Sequence, residues 1–514
     1  MANLNILIIE DKKGWQSLFK KLLKSIGKNI DVTTASNESD AEIYFENNTY
    51  DLIILDLLLP KTKYNNTSNK VINLELLEKI RKSRRNNLSA IIITSAYGEV
   101  PLAVESLKHY RVNYFFDKVK NFNNDSFIKS SKEAILESRF WQLEERKDKQ
   151  HQLTIHLGKD SIIGCEVHGP NFTASQTFDR PKDFDCDEFI RRGDNLNIYF
   201  FTKEGIEQWR PEAKAIGKEI YDKLFYERSI LENLHKAQAN AKSTNDLWIR
   251  LKGAANTIGV PFELIHNNLD YLSHRHIFTR SLTGYNISNK KPFHLFIKDL
   301  EQTNEVLRIL IVGSNCDGGI PQVDNEIEIL KTEITNSLNH IGINFKVECL
   351  STEEASYEKV SDALRTGNYH IFHFCGHGDF VNELPENSGI WFLDESGTPK
   401  KLDASHLNLL MQNSNLQFVF LNCCLSAGTA DRVGRGDFYG IFEALIRAGI
   451  PAVLGYRWTV LDDSALQLAR KFYQKLWRSL SLEESLHYAK QKIKFAKGLD
   501  DETWASPVLL MQNS

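Results

Sequence analysis

The chain has 514 residues, of which 42% are hydrophobic and 25% charged, and a formal net charge of −4. That length accommodates about two to four domains, and the near balance of charge argues against general nucleic-acid binding. No run approaches the roughly 18 uninterrupted apolar residues of a membrane span. The start, Met1-Ala2-Asn3-Leu4-Asn5, lacks the basic stretch and cleavage site of a signal peptide. Seven unevenly spread cysteines argue against a secreted disulfide framework, and the lack of a CxxC pair argues against a zinc site. The expected setting is reducing cytoplasm, where a catalytic thiol stays usable.

Residues 4 to 135 alternate apolar strands with amphipathic helices. Strands are predicted at Asn5 to Ile9, Leu52 to Leu55, Ala90 to Ile93 and Asn113 to Phe116, and helices over Trp15 to Leu23 and Leu74 to Ile80. Such βα repetition implies a doubly wound parallel sheet with its site at the carboxyl ends of the strands. Polar residues fall at those ends: Glu10-Asp11, Asp56, Thr94-Ser95 and Lys118. Clustered carboxylates suit magnesium, which takes oxygen ligands and keeps several waters. Asp56 is then placed to attack a phosphoryl group, with the metal and Lys118 neutralising its oxygens.

This segment resembles the receiver domain of response regulators, a flavodoxin-like fold. The matching motifs are Ile8-Ile9-Glu10-Asp11, Asp56-Leu57-Leu58-Leu59-Pro60, Ile93-Thr94-Ser95-Ala96 and Phe115-Phe116-Asp117-Lys118. The resemblance implies Asp56 as phosphoacceptor and Glu10, Asp11 and Asp56 as Mg2+ ligands, completed by the carbonyl of Leu58. It implies Ser95 as the phosphate-sensing hydroxyl, with Thr94 as the alternative, and Phe115 as the switch aromatic. It also implies a histidine kinase or phosphotransfer protein as partner, and a homodimer through the receiver. Two departures stand out: Val119 follows the lysine where the family usually has proline, and a polar insertion runs from about Lys61 to Val71.

From Asp125 to Gln150 the last receiver helix is expected to run on into a charged segment, Glu144 to Lys149, read as a solvated helix end or hinge. Short β-like runs follow at His151 to His156, Ser161 to Val167 and Asn195 to Phe201, then a helix over Glu212 to His235 and a strand at Trp248 to Leu251. After the strand Leu307 to Val312, the loop Gly313 to Gly319 lacks the Gly-Lys-Ser/Thr ending of a phosphate cradle and reads as a turn before the amphipathic 323–341 region.

Two segments further along fit one catalytic device. Tyr369 to Gly378 and Phe418 to Ser426 are largely apolar runs of strand length that stop at polar or small residues, one delivering His377 and the other Cys424, 47 positions later. A cysteine nucleophile needs a nearby base, and caspase-type enzymes carry the histidine roughly 50 residues upstream. Glycines on both sides of His377 suit an exposed turn. Cys423 is the alternative nucleophile, which a one-residue shift would turn to the opposite face. Cys375 reads as a core residue and His373 as a packed, hydrogen-bonded histidine.

His-Phe-Cys-Gly-His-Gly and Leu-Asn-Cys-Cys-Leu-Ser resemble the corresponding strands of the CHAT peptidases, caspase-like cysteine proteases of clan CD. Leu307 to Gly313, Ser388 to Phe392, Ala444 to Gly449, Val453 to Trp458, Asp462-Asp463 and Trp504 to Pro507 extend the likeness, and Leu272 and Arg280 sit where the family often has leucine and arginine. The resemblance implies a caspase-like α/β domain with a small β-containing N-terminal subdomain. It implies His377 as base, Cys424 as nucleophile, an oxyanion hole from backbone N–H groups near Gly378 and Cys424, and no cofactor for the peptidase. The expected divisions are a receiver at 1–135, a charged helical linker at 136–150, the N-terminal part of the CHAT region at 151–300 and its catalytic part at 301–514. The function expected is cleavage of a partner protein, co-encoded in one version, gated by phosphorylation in a bacterial stress or phage-defence phosphorelay. The competing expectation is a catalytically silent scaffold that assembles signalling partners. Neither nucleic acid nor a membrane span is expected.

Overall fold

The structure is a computed structural model. It describes residues 4–512 apart from 62–73, 97–109, 121, 158–161, 171, 180–183, 202, 242–246, 255–256, 258, 284–289, 317–321, 380–386, 426–437, 459, 461 and 498–501. Most of the polar insertion beside Asp56 therefore lies outside the described residues, as do Ser426 and residues 317–319 of the Gly313 to Gly319 loop. The chain divides into two compact units, one of Met1–Glu145 with Ile334–Asn344 and Trp477–Leu480, the other comprising the rest.

In the first unit, strands β1 (Leu4–Ile9), β2 (Ile30–Ala35), β3 (Leu52–Asp56), β4 (Ala90–Ser95) and β5 (Tyr114–Asp117) form a sheet of order β2-β1-β3-β4-β5. All neighbours are parallel. The inner strands are apolar at nearly every position because both faces of such a sheet are covered, and Ile53, Ile54, Ile91 and Ile92 are fully buried. Among the described residues, helices Lys13–Lys24, Glu38–Asn47 and Leu74–Lys82 are crossovers. Asn37 starts the second of them, its side-chain oxygen accepting from Asp40 N at 2.9 Å. The helix Asn124–Asp148 continues through Glu144 to Lys147 without a break, so the charged stretch is a helix end.

The second unit is built on one sheet of order β12-β11-β13-β16-β17-β18-β10-β9-β6-β7-β8. In chain order its strands are β6 (His151–Leu157), β7 (Ile162–Gly169), β8 (Phe172–Asp179), β9 (Leu247–Gly253), β10 (Ile277–Leu282), β11 (Leu307–Gly313), β12 (Phe345–Leu350), β13 (Ile371–Asp379), β14 (Gly389–Leu393), β15 (Pro399–Asp403), β16 (Phe418–Leu425), β17 (Ala452–Tyr456) and β18 (Pro507–Met511). The strands β12, β11, β13, β16 and β17 run parallel. β18, antiparallel to β17 and parallel to β10, links them to the strands nearer residue 151. The β14–β15 hairpin leaves the sheet at the end of β13.

Two expectations fail here. Asn195 to Phe201 is no strand: Cys186–Asn195 is an α-helix and Leu196–Phe201 a 3-10 turn. The apolar run Leu196 to Phe201 lacks the alternation that a half-buried strand would show, and Asp185 caps the preceding helix by accepting from Asp187 N and Glu188 N. The helix expected over Glu212 to His235 is two, Lys203–Leu224 and Arg228–Asn240.

Candidate functional sites

At the carboxyl edge of the first sheet, Glu10, Asp56 and Lys118 are buried and Asp11 is exposed. Lys118 Nζ donates to Asp56 Oδ2 at 2.7 Å and to Glu10 Oε2, joining the ends of β1, β3 and β5. Backbone donors finish the carboxylates: Leu58 N reaches Asp56 Oδ1 at 3.1 Å and Lys12 N reaches Glu10 Oε1 at 3.2 Å. Oxygens of Glu10, Asp11 and Asp56 lie within 4.8 Å of one another. Burial, reinforced by the negative charge of Asp56 and partly offset by Lys118, pushes the Glu10 carboxyl up to about 7. A buried acid held up beside a second carboxylate is what a divalent cation relieves, so the donor set fits magnesium.

Thr94 stands in register with Asp56, and Ser95 with Asp117. Both hydroxyl residues are buried, and Thr94 Oγ1 has no hydrogen-bond partner among the described residues. Phe115 is half-buried against the apolar cluster beneath β3 and β4. Trp15, whose part the sequence does not reveal, has its ring 5.7 Å from Lys118 Nζ. Gln16 Nε2 donates to the Glu10 carbonyl at 2.5 Å.

In the second unit, β13 and β16 are neighbours, and the register pairs His373 with Phe420, Cys375 with Asn422 and His377 with Cys424. Strand alternation divides these residues. Phe372, Phe374, Val419, Leu421 and Cys423 belong to one apolar cluster, which occupies the other face from His373, Cys375 and His377. Cys423 is accordingly a core residue, 2% exposed. His377 is 4% exposed, and the side chain of Cys424 lies outside the described residues. Gly378 stands in the ladder between Ile390 of β14 and Leu425 of β16.

Gly376 lets β11 approach. A Cβ there would lie 2.6 Å from the Ser314 carbonyl oxygen, next to the bond that Ser314 N donates to Cys375 O at 2.8 Å. Below the His377–Cys424 pair sit groups that sequence reading did not connect. Asn422 Nδ2 donates to Glu326 Oε1, and His373 Nδ1 lies 3.1 Å from Tyr473 Oη. Cys375 has its thiol pushed well up by burial, with the Glu326 carboxylate adding to the rise. Glu326 comes from the helix Val323–Leu338, where its spacing from Val323, Ile327 and Leu330 sets it apart from the solvated acids around it.

The other family positions hold the sheet together. Arg280, 1% exposed in β10, pairs with Glu263 and donates to Val260 O at 2.9 Å. Leu272 is buried in the apolar cluster of the same region. Arg457 pairs with Asp194 at 2.9 Å, and Trp458 Nε1 donates to Gly193 O at 2.7 Å.

Residues 6–130 match the model of the response regulator receiver domain, and residues 214–512, more than half of the chain, match that of the CHAT domain. None of the curated proteins matches the chain. Among solved structures, a CheY-like response regulator receiver domain protein from Methanospirillum hungatei is similar at 22% identity, covering 27% of this chain and 99% of its own, with a TM-score of 0.23. One from Clostridium thermocellum is 24% identical over 27% of this chain and 95% of its own, with a TM-score of 0.21. A response regulator protein from Thermotoga maritima in complex with Mg(2+)-BeF is 26% identical over 24% of this chain and 91% of its own, with a TM-score of 0.19. No described helix is long and apolar enough to cross a membrane. The chain belongs to the CHAT family, whose domain is of the caspase-like peptidase type, and carries a response regulator receiver domain ahead of it.

Proposed function

We propose that the chain is a cytoplasmic cysteine endopeptidase whose cleavage of a partner protein is governed by phosphorylation of its receiver. The supporting observation is the register of His377 with Cys424 on adjacent parallel strands, near the carboxyl ends where open α/β sheets bear their sites. Cys423, the alternative nucleophile, is instead part of the apolar core on the face opposite His377. His377 takes the thiol proton of Cys424, and the thiolate attacks the scissile carbonyl carbon. Backbone N–H groups near Gly378 and Cys424 stabilise the oxyanion, and His377 returns its proton to the leaving amine. Water then releases the acyl group from sulfur.

In the receiver, Asp56 accepts the phosphoryl group from a histidine kinase or phosphotransfer protein, while Lys118 neutralises the added charge. Glu10, Asp11, Asp56 and the Leu58 carbonyl would hold Mg2+, which supplies charge neutralisation at the phosphoryl oxygens. Ser95 and Phe115 turn the modification into a shift of one receiver face, and a homodimer through that face is one way to use it. We assign 1–135 to the receiver, 136–150 to the helical linker, 151–300 to the N-terminal part of the CHAT region and 301–514 to catalysis. The pairing of receiver and CHAT domains is what supports a setting in stress or phage-defence signalling.

The test is incubation of the purified chain with neighbouring gene products, with and without a small phosphodonor. Cleavage abolished by Cys424→Ala and altered by Asp56→Ala is expected. Loss of biological function in Cys424→Ala without any cleavage by the wild type would replace this reading with the scaffold.

A further inference from the structure

We propose that Glu326, His373 and Cys375, with the side-chain oxygen of Asn422 as fourth donor, form a buried site for one divalent ion of the zinc class. The site goes beyond the peptidase reading and does not depend on it. Its donors come from three elements of the second unit. His373 and Cys375 are two apart on β13 and share a face, Asn422 is the register partner of Cys375 on β16, and Glu326 descends from the helix Val323–Leu338. The absence of a CxxC pair excludes only motifs local in sequence.

Three observations converge. Ligand atoms of Glu326, His373 and Cys375 lie within 4.8 Å of one another. All four residues are buried, His373 at 0%, Cys375 at 1%, Asn422 at 5% and Glu326 at 8% exposure. Two acceptors there are orphaned: among the described residues, neither His373 Nε2 nor Asn422 Oδ1 has a hydrogen-bond partner. Buried polar atoms are rarely left so, and a bound ion supplies the kind of partner they lack. If Nδ1–H of His373 is donated to Tyr473 Oη, at 3.1 Å, Nε2 carries the lone pair. A second hydrogen bond of that kind commonly fixes the tautomer of a metal-bound histidine.

The charges close as well. Binding displaces one proton from the Cys375 thiol, and a thiolate with the Glu326 carboxylate balances a divalent cation inside the fold. Thiolate and imidazole donors select zinc over magnesium or calcium. The ion would tie β13, β16 and the Val323–Leu338 helix together about 7 Å below the His377–Cys424 pair, two residues further down each strand.

The experiment is the metal content of the full-length chain, purified without a histidine tag and desalted. About one zinc per chain is expected in wild type and in Cys424→Ala, falling to less than about a tenth of that in Cys375→Ser and Glu326→Gln. Tyr473→Phe is expected to weaken zinc affinity about 10- to 100-fold. Cobalt loaded into Cys424→Ala, which leaves the cluster untouched, is expected to give a thiolate charge-transfer band; this reads the site even where the cluster variants do not fold. No zinc and no such band would overturn the proposal. So would metal content unchanged by Cys375→Ser and Glu326→Gln, or lost with Cys424→Ala.

Discussion

Replacing Glu10 by glutamine separates the stability of the receiver from its capacity for metal. Glu10 is fully buried beside Asp56, and its carboxyl is raised from 4.5 to about 7. Between those values the folded receiver holds a proton that the unfolded chain has released, so stability falls as pH rises. The loss runs at about 1.4 kcal/mol per pH unit, and the rise in the Glu10 value makes it about 3 kcal/mol at pH 8 without divalent ions. Glu10→Gln removes the penalty. Thermal unfolding in chelator is therefore expected to show Glu10→Gln melting about 5–10 °C above wild type at pH 8, with the gap closing toward pH 5. Magnesium reverses the order of benefit, raising the wild-type transition more than that of the variant, because it relieves the charge that the variant lacks. Equal melting curves across this pH range, or equal magnesium shifts in the two proteins, would refute the placement of Glu10 as a buried metal-side acid.

Cys424→Ala is expected to abolish cleavage, while Cys423→Ala keeps it and costs about 1 kcal/mol, since Cys423 only fills the core; residual activity in the first or its loss in a folded second variant, measured on one substrate, reverses the assignment. Gly376→Ala is expected to destabilise the C-terminal unit by about 1–3 kcal/mol, because its Cβ would meet the Ser314 carbonyl oxygen at 2.6 Å and a backbone atom there yields only by parting β11 from β13. An unchanged denaturation midpoint would contradict that packing. Arg280→Met leaves the Glu263 carboxylate buried without its partner and is expected to cost about 3–5 kcal/mol, most of it recovered in Arg280→Met/Glu263→Leu. Additive losses in the double variant would show that the pair does not act as a unit.

Some strands that sequence reading missed lie at the ends of their sheets, while β10, β17 and β18, missed as well, lie inside one. β2, β8 and β12 each end the order of their sheet, and β2 and β12 are mostly half-exposed. An edge strand packs less surface, so Ile30-Asp31-Val32-Thr33-Thr34-Ala35 carries polar residues where β3 reads Leu52-Ile53-Ile54-Leu55. The central strands β3 and β4 announce themselves by apolar runs because water reaches neither face. The Leu196 to Phe201 run shows the converse: a short run rich in apolar residues reads as a strand although it forms a 3-10 turn.

The same physics decides which site residues can be read. Asp56, Lys118, His377 and Cys424 stand out because each interrupts or closes an apolar run, so polarity and position coincide. Glu326 interrupts nothing. It lies among Asp324, Asn325 and Glu328 near the start of an amphipathic helix, where acids are the ordinary solvated complement of the helix dipole. What turns it inward is the seat of the helix on β11, where a side chain on Gly313 would run into Val323 and Ile327. That glycine lets the helix settle with Val323, Ile327 and Leu330 buried, and Glu326 goes in with them. A carboxylate carried into the core by its helix must find charge or hydrogen bonds there. Asn422 and the Cys375 thiol supply hydrogen bonds to it, and the orphaned atoms of His373 and Asn422 mark where a cation would bind.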